Sequence, residues 1–194
     1  MRLFIAIRFP EPVLDALCQR QVRLQEAVER GRFSSRENLH LTLAFLGDVP
    51  PSAVAKIRRV MDAAAGPAFS FKIGRPGRFR RDGGDVLWLA IDAPRALYAL
   101  QSRLSVGLTS AGFRLEDRAY TPHLTIARSV LLRPGLDLHR LGMEFAPISC
   151  QAQAVCLMQS ERIGGVLTYT ELYRKEMAPL DDAETKRSAA SWNC

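Results

Sequence analysis

His40-Leu41-Thr42-Leu43 is the stretch that decides how this chain folds, because His123-Leu124-Thr125-Ile126 repeats its pattern later in the sequence. Each copy alternates polar and aliphatic residues, which is the period of a half-buried β-strand. On such a strand the histidine and the threonine share one face, and the two aliphatic side chains share the other. If the two strands lie side by side, two imidazoles and two hydroxyls face one cleft. The chain has only three histidines, and the repeat contains two of them.

The composition is that of an ordinary globular protein with a basic surface. Of the 194 residues, 47% are hydrophobic and 24% are charged, and the formal net charge is +7. Only four of the 27 basic residues are lysines. The planar guanidinium of arginine suits phosphate, so nucleic acid is one candidate partner. A general preference for arginine codons explains the same excess equally well.

The cysteines and the N-terminus predict a cytoplasmic protein without membrane association. The four cysteines, Cys18, Cys150, Cys156 and Cys194, form no C-x-x-C pair, and we expect them to stay reduced. The apolar run over residues 3–7 is too short for a signal peptide core. No stretch reaches the length of a membrane-spanning helix.

Apolar spacing and turn residues predict an alternation of strands and helices. Strands are predicted over residues 3–9, 39–46, 69–73, 86–91, 120–128, 148–159 and 166–175. Helices are predicted over residues 11–30, 52–65 and 95–111, the second with Ser52 as its N-cap. A flexible basic loop is expected over residues 74–84, and a frayed tail over residues 178–194. This order indicates an α+β protein in which the two motif strands belong to a duplicated unit.

The paired motifs supply the groups that hydrolysis of a phosphodiester needs when no metal takes part. A base must deprotonate the attacking water and an acid must protonate the leaving oxygen, and histidine suits both tasks. The hydroxyls of Thr42 and Thr125 would hold the phosphoryl oxygens. A metal site is the competing use of two histidines, but no carboxylate cluster surrounds either motif. We therefore expect no metal and no cofactor, and we expect His139, which stands apart, at the surface.

These segments resemble the 2H phosphoesterase superfamily, which is named for two H-x-[ST]-x motifs. More closely, they resemble its RNA 2′,3′-cyclic phosphodiesterase family, also called 2′-5′ RNA ligase. The resemblance follows the family order through residues 2–7, 37–49, 86–89, 120–128 and 157–162, and then Tyr169. It implies one bilobal domain over residues 1–177. In that fold two antiparallel sheets, flanked by helices, are related by pseudo-twofold symmetry.

The resemblance also implies hydrolysis of RNA 2′,3′-cyclic phosphate ends to 2′-phosphomonoesters, with ATP-independent 2′-5′ RNA ligation as the reverse type of reaction. Carried over to this chain, His40 is the proton donor to the leaving 3′ oxygen and His123 is the proton acceptor. Thr42 and Thr125 then bind phosphate. The expected partner is an RNA or oligonucleotide with a 2′,3′-cyclic phosphate end, and we expect a monomer.

Arg128, just past the second motif, is a further candidate for phosphate binding. Strict alternation places it on the face of Leu124 and Ile126 rather than on that of His123. Its participation therefore requires a strand end or a β-bulge at this point. A solvated strand end is the competing interpretation.

Two parts of the chain depart from the family pattern and bear on the substrate. Residues 163–168 stand where family members often have a Gly-Pro-x-Tyr-like stretch, and the basic loop from Arg75 to Arg81 is particular to this sequence. Within that loop, Phe79 either stacks on a base or lies at a solvated hairpin tip. Two other functions stay open: a phosphodiesterase for a small cyclic nucleotide or ADP-ribose cyclic phosphate, and a non-catalytic RNA-binding module.

Overall fold

The computed structural model of the protein describes residues 1–179, which contain nine β-strands. In chain order these are β1 (Arg2–Arg8), β2 (Val28–Phe33), β3 (His40–Asp48), β4 (Phe69–Phe79), β5 (Asp85–Asp92), β6 (His123–Leu132), β7 (Ile148–Ala152), β8 (Ala154–Ile163) and β9 (Val166–Glu176). One sheet has the order β3-β1-β8-β9 and the other β2-β6-β5-β4-β7, with antiparallel pairing between all neighbours. The predicted α+β fold with two antiparallel sheets is confirmed.

Helices and short 3-10 turns cover the sheets. In the described residues the α-helices are α1 (Glu11–Gln25), α2 (Val54–Ala64), α3 (Arg95–Ser110) and α4 (Leu138–Met143). The 3-10 turns are Arg36–Asn38 and Pro51–Ala53. None of the helices in this part of the chain is long and apolar enough to cross a membrane.

One hydrophobic core joins both sheets to the helices. The apolar stripe of α3 contributes four fully buried leucines at helical spacing: Leu97, Leu100, Leu104 and Leu108. The aliphatic faces of the two motif strands meet the same core, and Leu41 and Leu124 are both 0% exposed. The histidine face of each motif strand is therefore directed away from this core.

Both motif strands contain a β-bulge at the same point of the repeat. In β3 the register with β1 shifts between Thr42 and Ala44, and in β6 the register with β5 shifts between Thr125 and Ala127. In each strand two adjacent residues are then buried on the core side, and the alternation resumes with the opposite phase. The shared irregularity is consistent with the predicted duplication.

The bulge changes the face on which the next residue lies. After Ala44 and Ala127, the first residues of the new phase are Phe45 and Arg128, and both leave the core face for the histidine face. The bulge that a role for Arg128 requires is thus present.

The helix predicted over residues 11–30 is too long. The helix α1 ends at Gln25, and the following residues form β2 at the edge of the second sheet. Val28, whose spacing fits the apolar face of the predicted helix, lies opposite Leu132 in β6. Val22, which fits the same apolar face, is 56% exposed. Pairing with a strand far along the chain overrides the local periodicity here.

The basic loop predicted over residues 74–84 is wrong in its first half, because β4 continues to Phe79 and pairs with β5. Gly77 lies opposite Trp88, and a Cβ built on Gly77 would come within 2.3 Å of the indole ring. A glycine in a strand marks such a close approach. Only residues 80–84 form the connection between the strands.

The remaining differences from the prediction are local. The second motif strand, predicted over residues 120–128, runs instead from His123 to Leu132. The strand predicted over residues 148–159 is divided at Gln153 into β7 and β8, which belong to different sheets. Ser52 is not an N-cap, because it lies inside the turn Pro51–Ala53 and α2 begins at Val54 without a side-chain cap. The helix α4 was not predicted. Its N-cap Asp137 accepts bonds from two main-chain N–H groups, and its His139 is exposed, as expected.

The C-terminal segment remains attached to the fold as far as Ala178. Its carbonyl accepts a bond from the N–H of Ala68 at 2.7 Å, and its own N–H donates to Gly66 at 3.1 Å. Residues 180–194, which hold most of the predicted tail, lie outside the described residues.

Candidate active site

The two motif histidines have the same orientation relative to the main chain. His40 Nδ1 lies 2.7 Å from the carbonyl oxygen of Asn38, and His123 Nδ1 lies 2.8 Å from that of Thr121. A carbonyl oxygen only accepts, so Nδ1 carries the proton in both rings and donates it. In each neutral ring Nε2 is therefore the free base. The two strands that carry the histidines pack against each other.

The threonines of the motifs lie beside the imidazoles. Thr42 Oγ1 is 3.0 Å from His40 Nε2, so the hydroxyl donates to the neutral ring. Thr125 is half-buried on the His123 face of β6. The segment just before β6 is also bonded directly to β3, because the hydroxyl of Tyr120 donates to the main-chain carbonyl of Thr42 at 2.9 Å.

Aromatic side chains hold the first histidine. Its ring lies 4.8 Å from the ring of Phe4 and meets Tyr169 edge to face at 5.2 Å. Phe4 and Tyr169 also contact each other at 4.9 Å. These rings fix the imidazole of His40 and shield it from water.

A second aromatic pair holds the second histidine. His123 meets Phe79 edge to face at 5.1 Å and Trp88 at 6.4 Å. Phe79 itself lies 5.2 Å from Trp88. Phe79 is therefore neither at a hairpin tip nor in a loop. It is the last residue of β4, in contact with a motif histidine.

The surroundings of His40 favour the neutral imidazole. Burial lowers the pKa of His40 to about 4, and the positive charges of Arg128, His123 and Arg8 act in the same direction. The bond to the Asn38 carbonyl partly opposes this shift. Arg128 and His123 thus act on His40 across the contact between β3 and β6, and their positive charges favour an anion there.

Arg128 is exposed and has no hydrogen bond or ion pair to any residue in the described part of the chain. Two other arginines near the cleft are neutralised: Arg8 pairs with Glu171 at 3.3 Å, and Arg78 pairs with Asp85 at 2.8 Å. The guanidinium of Arg128 is thus free for a ligand. Its role in phosphate binding stays a prediction.

A buried glutamine supports the bulge that carries Arg128. Gln21 of α1 is 6% exposed, and its Nε2 donates to the Ser34 carbonyl at 2.9 Å and weakly to the Ile126 carbonyl at 3.5 Å. The Ile126 carbonyl also accepts a bond from the N–H of Ser34 at 2.8 Å. Gln21 therefore stabilises the main chain at Ile126, two residues before Arg128. No motif in the sequence marks this residue.

Within residues 1–179, no three His, Cys, Asp or Glu side chains are grouped so that they could hold a metal ion. The motifs and the residue after the second bulge offer instead two imidazoles, two threonine hydroxyls and the unpaired guanidinium of Arg128. This set can accept a proton, donate a proton and hold an anion.

Comparison with known proteins places this cleft in a family. A sequence model of the 2′-5′ RNA ligase superfamily matches residues 11–164. The chain belongs to the 2′-5′ RNA ligase superfamily. It is 34% identical over 182 residues to the RNA 2′,3′-cyclic phosphodiesterase of Methanothermobacter thermautotrophicus, covering 90% of this chain and 98% of that protein. To the Escherichia coli RNA 2′,3′-cyclic phosphodiesterase it is 30% identical over 128 residues, covering 66% of this chain and 71% of the other.

Solved structures of the superfamily have the same fold. The apo form of Escherichia coli LigT superposes with a TM-score of 0.76 at 26% identity, covering 91% of this chain and 97% of LigT. Its complex with 3′-AMP gives the same TM-score, identity and coverage. The resemblance inferred from the two motifs is thus confirmed. Two residues from the resembling segments that carried no predicted role, Trp88 and Tyr169, line the cleft of this superfamily member.

Proposed function

We propose that the protein hydrolyses RNA 2′,3′-cyclic phosphate ends to 2′-phosphomonoesters without a metal ion. The observation that carries this proposal is the matched pair of His-x-Thr strands. In both histidines Nδ1 donates to a main-chain carbonyl and Nε2 is unprotonated in the neutral ring. Arg128, which follows the second motif, is unpaired in the described residues. The names of the relatives support it, because proteins at 34% and 30% identity are RNA 2′,3′-cyclic phosphodiesterases.

In the proposed reaction His123 is the proton acceptor and His40 is the proton donor. Nε2 of His123 takes a proton from water as the water oxygen bonds to phosphorus. The bond between phosphorus and the 3′ oxygen breaks, and Nε2 of His40 gives a proton to that oxygen. The phosphate remains on the 2′ oxygen.

The phosphoryl oxygens gain negative charge in the transition state, and Thr42, Thr125 and Arg128 are the groups that would stabilise it. Thr42 donates to His40 in the unliganded cleft, and its hydroxyl can turn to a phosphoryl oxygen once His40 is protonated. Arg128 has no carboxylate partner in the described residues, so its guanidinium can donate to two phosphoryl oxygens at once.

The donor role requires His40 to take up a proton when substrate binds, because its pKa of about 4 leaves it neutral near pH 7. An anionic phosphate beside Arg128 and His123 offsets the positive charges that hold this pKa down. The same cleft with a 5′ hydroxyl in place of water would perform ATP-independent 2′-5′ RNA ligation.

The test is an RNA ending in a 2′,3′-cyclic phosphate, incubated with the protein in EDTA. We expect a 2′-phosphate end, and we expect His40→Asn and His123→Asn each to lower kcat by about 10²–10⁴-fold. His139→Asn is the matched control, since this exposed histidine of α4 lies outside the cleft. A 3′-phosphate product, or loss of activity in EDTA, would contradict the mechanism.

The same assay separates the two alternatives. Activity confined to small cyclic nucleotides or ADP-ribose cyclic phosphate would favour the second enzyme, and RNA binding without turnover would favour a binding module. The predictions of a cytoplasmic location and a monomeric state remain predictions.

A further inference from the structure

The two halves of the cleft differ at the residue that follows the bulge. The repeat reads His-Leu-Thr-Leu-Ala-Phe in β3 and His-Leu-Thr-Ile-Ala-Arg in β6, so Phe45 occupies the place of Arg128. The first half nevertheless has a cation at this place. The guanidinium of Arg2, from the neighbouring strand β1, lies 5.0 Å from the centre of the Phe45 ring.

Like Arg128, Arg2 is exposed, and within residues 1–179 it forms no hydrogen bond and no ion pair. Asp48 lies opposite it in the β1–β3 register but forms no ion pair with it in this part of the chain. By contrast, Arg174 on the same sheet is neutralised by Glu176.

Tyr169 connects this cation to the reaction centre. Tyr169, Ser160 and Arg2 lie opposite one another on β9, β8 and β1, and cross-strand partners project from the same face of a sheet. The ring of Tyr169 contacts His40 at 5.2 Å. Burial raises the pKa of Tyr169, while the charges of Arg128 and Arg2 both act to lower it. Its hydroxyl has no hydrogen-bond partner in the described residues, and it lies on the same sheet face as Arg2.

We propose that Arg2 and Tyr169 form a second phosphate-binding subsite, which holds the phosphodiester on the 5′ side of the terminal nucleoside. The inference rests on the proposed function, which places the cyclic phosphate between the two histidines and Arg128. A 2′,3′-cyclic phosphate ends the chain, so every further phosphate of the RNA lies on its 5′ side. A mononucleoside cyclic phosphate cannot fill this subsite, and the enzyme should prefer an oligonucleotide.

The test compares a dinucleotide that ends in a 2′,3′-cyclic phosphate with the matching mononucleoside 2′,3′-cyclic phosphate. We expect the wild-type protein to have the higher kcat/KM on the dinucleotide. Arg2→Gln should raise KM for the dinucleotide about tenfold and leave both constants for the mononucleoside unchanged. The slope of log KM against log salt concentration for the dinucleotide should decrease by about one, as expected when one contact between a cation and a phosphate is lost.

Tyr169→Phe keeps the ring beside His40 and removes the hydroxyl, so it should lower kcat/KM by a larger factor for the dinucleotide than for the mononucleoside. Arg59→Gln is the matched control. Arg59 is an exposed arginine of α2, and this helix contacts β9 on the core side through Tyr173 and Asp62, away from the histidine face. We expect Arg59→Gln to change neither substrate.

The outcomes distinguish the two proposals. If the wild-type protein turns over neither substrate, the proposed function fails. If it turns over both with equal kcat/KM, or if Arg2→Gln affects both substrates equally or neither, the second subsite is overturned while the reaction stands. Unchanged turnover of the mononucleoside by Arg2→Gln also shows that the variant is folded.

Discussion

The hydroxyl of Tyr120 donates to the main-chain carbonyl of Thr42 over 2.9 Å, so the segment before the second motif strand is bonded directly to the first. Tyr120 is half-buried, and its pKa is raised by burial. This bond lies across the cleft that both histidines share, and it fixes one motif strand relative to the other.

Tyr120→Phe removes the bond and leaves the Thr42 carbonyl without it. We expect the free energy of unfolding to fall by about 1–2 kcal/mol, because a buried acceptor loses its donor. We also expect kcat to fall several-fold, since the relative position of the two motifs loosens. Urea unfolding and steady-state kinetics measure the two effects.

Tyr98→Phe is the control, because Tyr98 contacts Tyr120 at 6.3 Å but is 47% exposed. An unchanged stability in Tyr120→Phe would show that the bond is not formed in solution.

The protonation of His40 should respond to an anion. In the free protein burial and three neighbouring cations hold its pKa at about 4. Inorganic phosphate bound beside Arg128 offsets these charges, and we expect the pKa to rise toward neutrality. Nitrogen NMR of the His40 ring, titrated with and without phosphate, measures this directly. If the ring still titrates near pH 4 with phosphate bound, the roles of donor and acceptor are exchanged between the two histidines.

The same depressed pKa of His40 makes the fold sensitive to acid. Between pH 6.5 and about 4 the unfolded chain binds a proton at this residue that the folded chain does not bind, so stability falls as the pH drops. The full shift corresponds to roughly 3 kcal/mol at the acid end. Urea unfolding at pH 4.5 and pH 7 should therefore differ less in His40→Asn than in the wild-type protein. His139→Asn should keep the wild-type difference; equal behaviour of the two variants would refute this account.

Gln21 should act on catalysis through Arg128. Gln21→Leu removes the donor to the Ser34 and Ile126 carbonyls, and the displaced bulge should lower kcat/KM about tenfold. In an Arg128→Ala background the same change should have little further effect, which a double-mutant cycle measures. Gln101→Leu on α3 is the control, because Gln101 also donates from a part-buried site, to Ser105. Additive losses in the cycle would mean that Gln21 supports the fold alone.

Gly77 should tolerate no side chain. A Cβ there would lie 2.3 Å from Trp88, which packs beside His123, so Gly77→Ala must displace the indole or the strand. We expect a loss of about 1–3 kcal/mol in stability and a lower kcat. Gly83→Ala is the matched control in the following turn, where a Cβ would meet nothing within 4 Å. Thermal unfolding of both variants tests the difference.

Much of the site can be predicted from the sequence, because it depends on the alternation of polar and apolar residues along a strand. His40 and Thr42, like His123 and Thr125, lie two residues apart on a strand, and that spacing alone places them on one face. The position of Arg128 depends on the bulge. A sequence signal for it exists, since the alternation is broken by two adjacent apolar residues at the same point of both copies.

The rest depends on contacts between distant parts of the chain. Gln21 and Tyr120 bond to main-chain carbonyls outside their own segments, and no local pattern marks them. The local sequence of β2 predicts the end of a helix for the same reason, because only its pairing with β6 makes it a strand. The glycine opposite Trp88 is a different case, because the basic residues around Gly77 predict a loop, and only the pairing of β4 with β5 shows that the glycine permits a close approach.

The difference between Phe45 and Arg128 has a consequence for regiochemistry. A cleft with two identical halves would accept the five-membered cyclic phosphate ring in either direction, and the 2′ and 3′ oxygens would leave with equal ease. The residue after the shared bulge is one of the differences that make the two directions unequal, because Arg128 offers a guanidinium to the phosphoryl oxygens where the other half has Phe45 with Arg2 over its ring. Exchanging these two residues is therefore the change most suited to altering which oxygen keeps the phosphate.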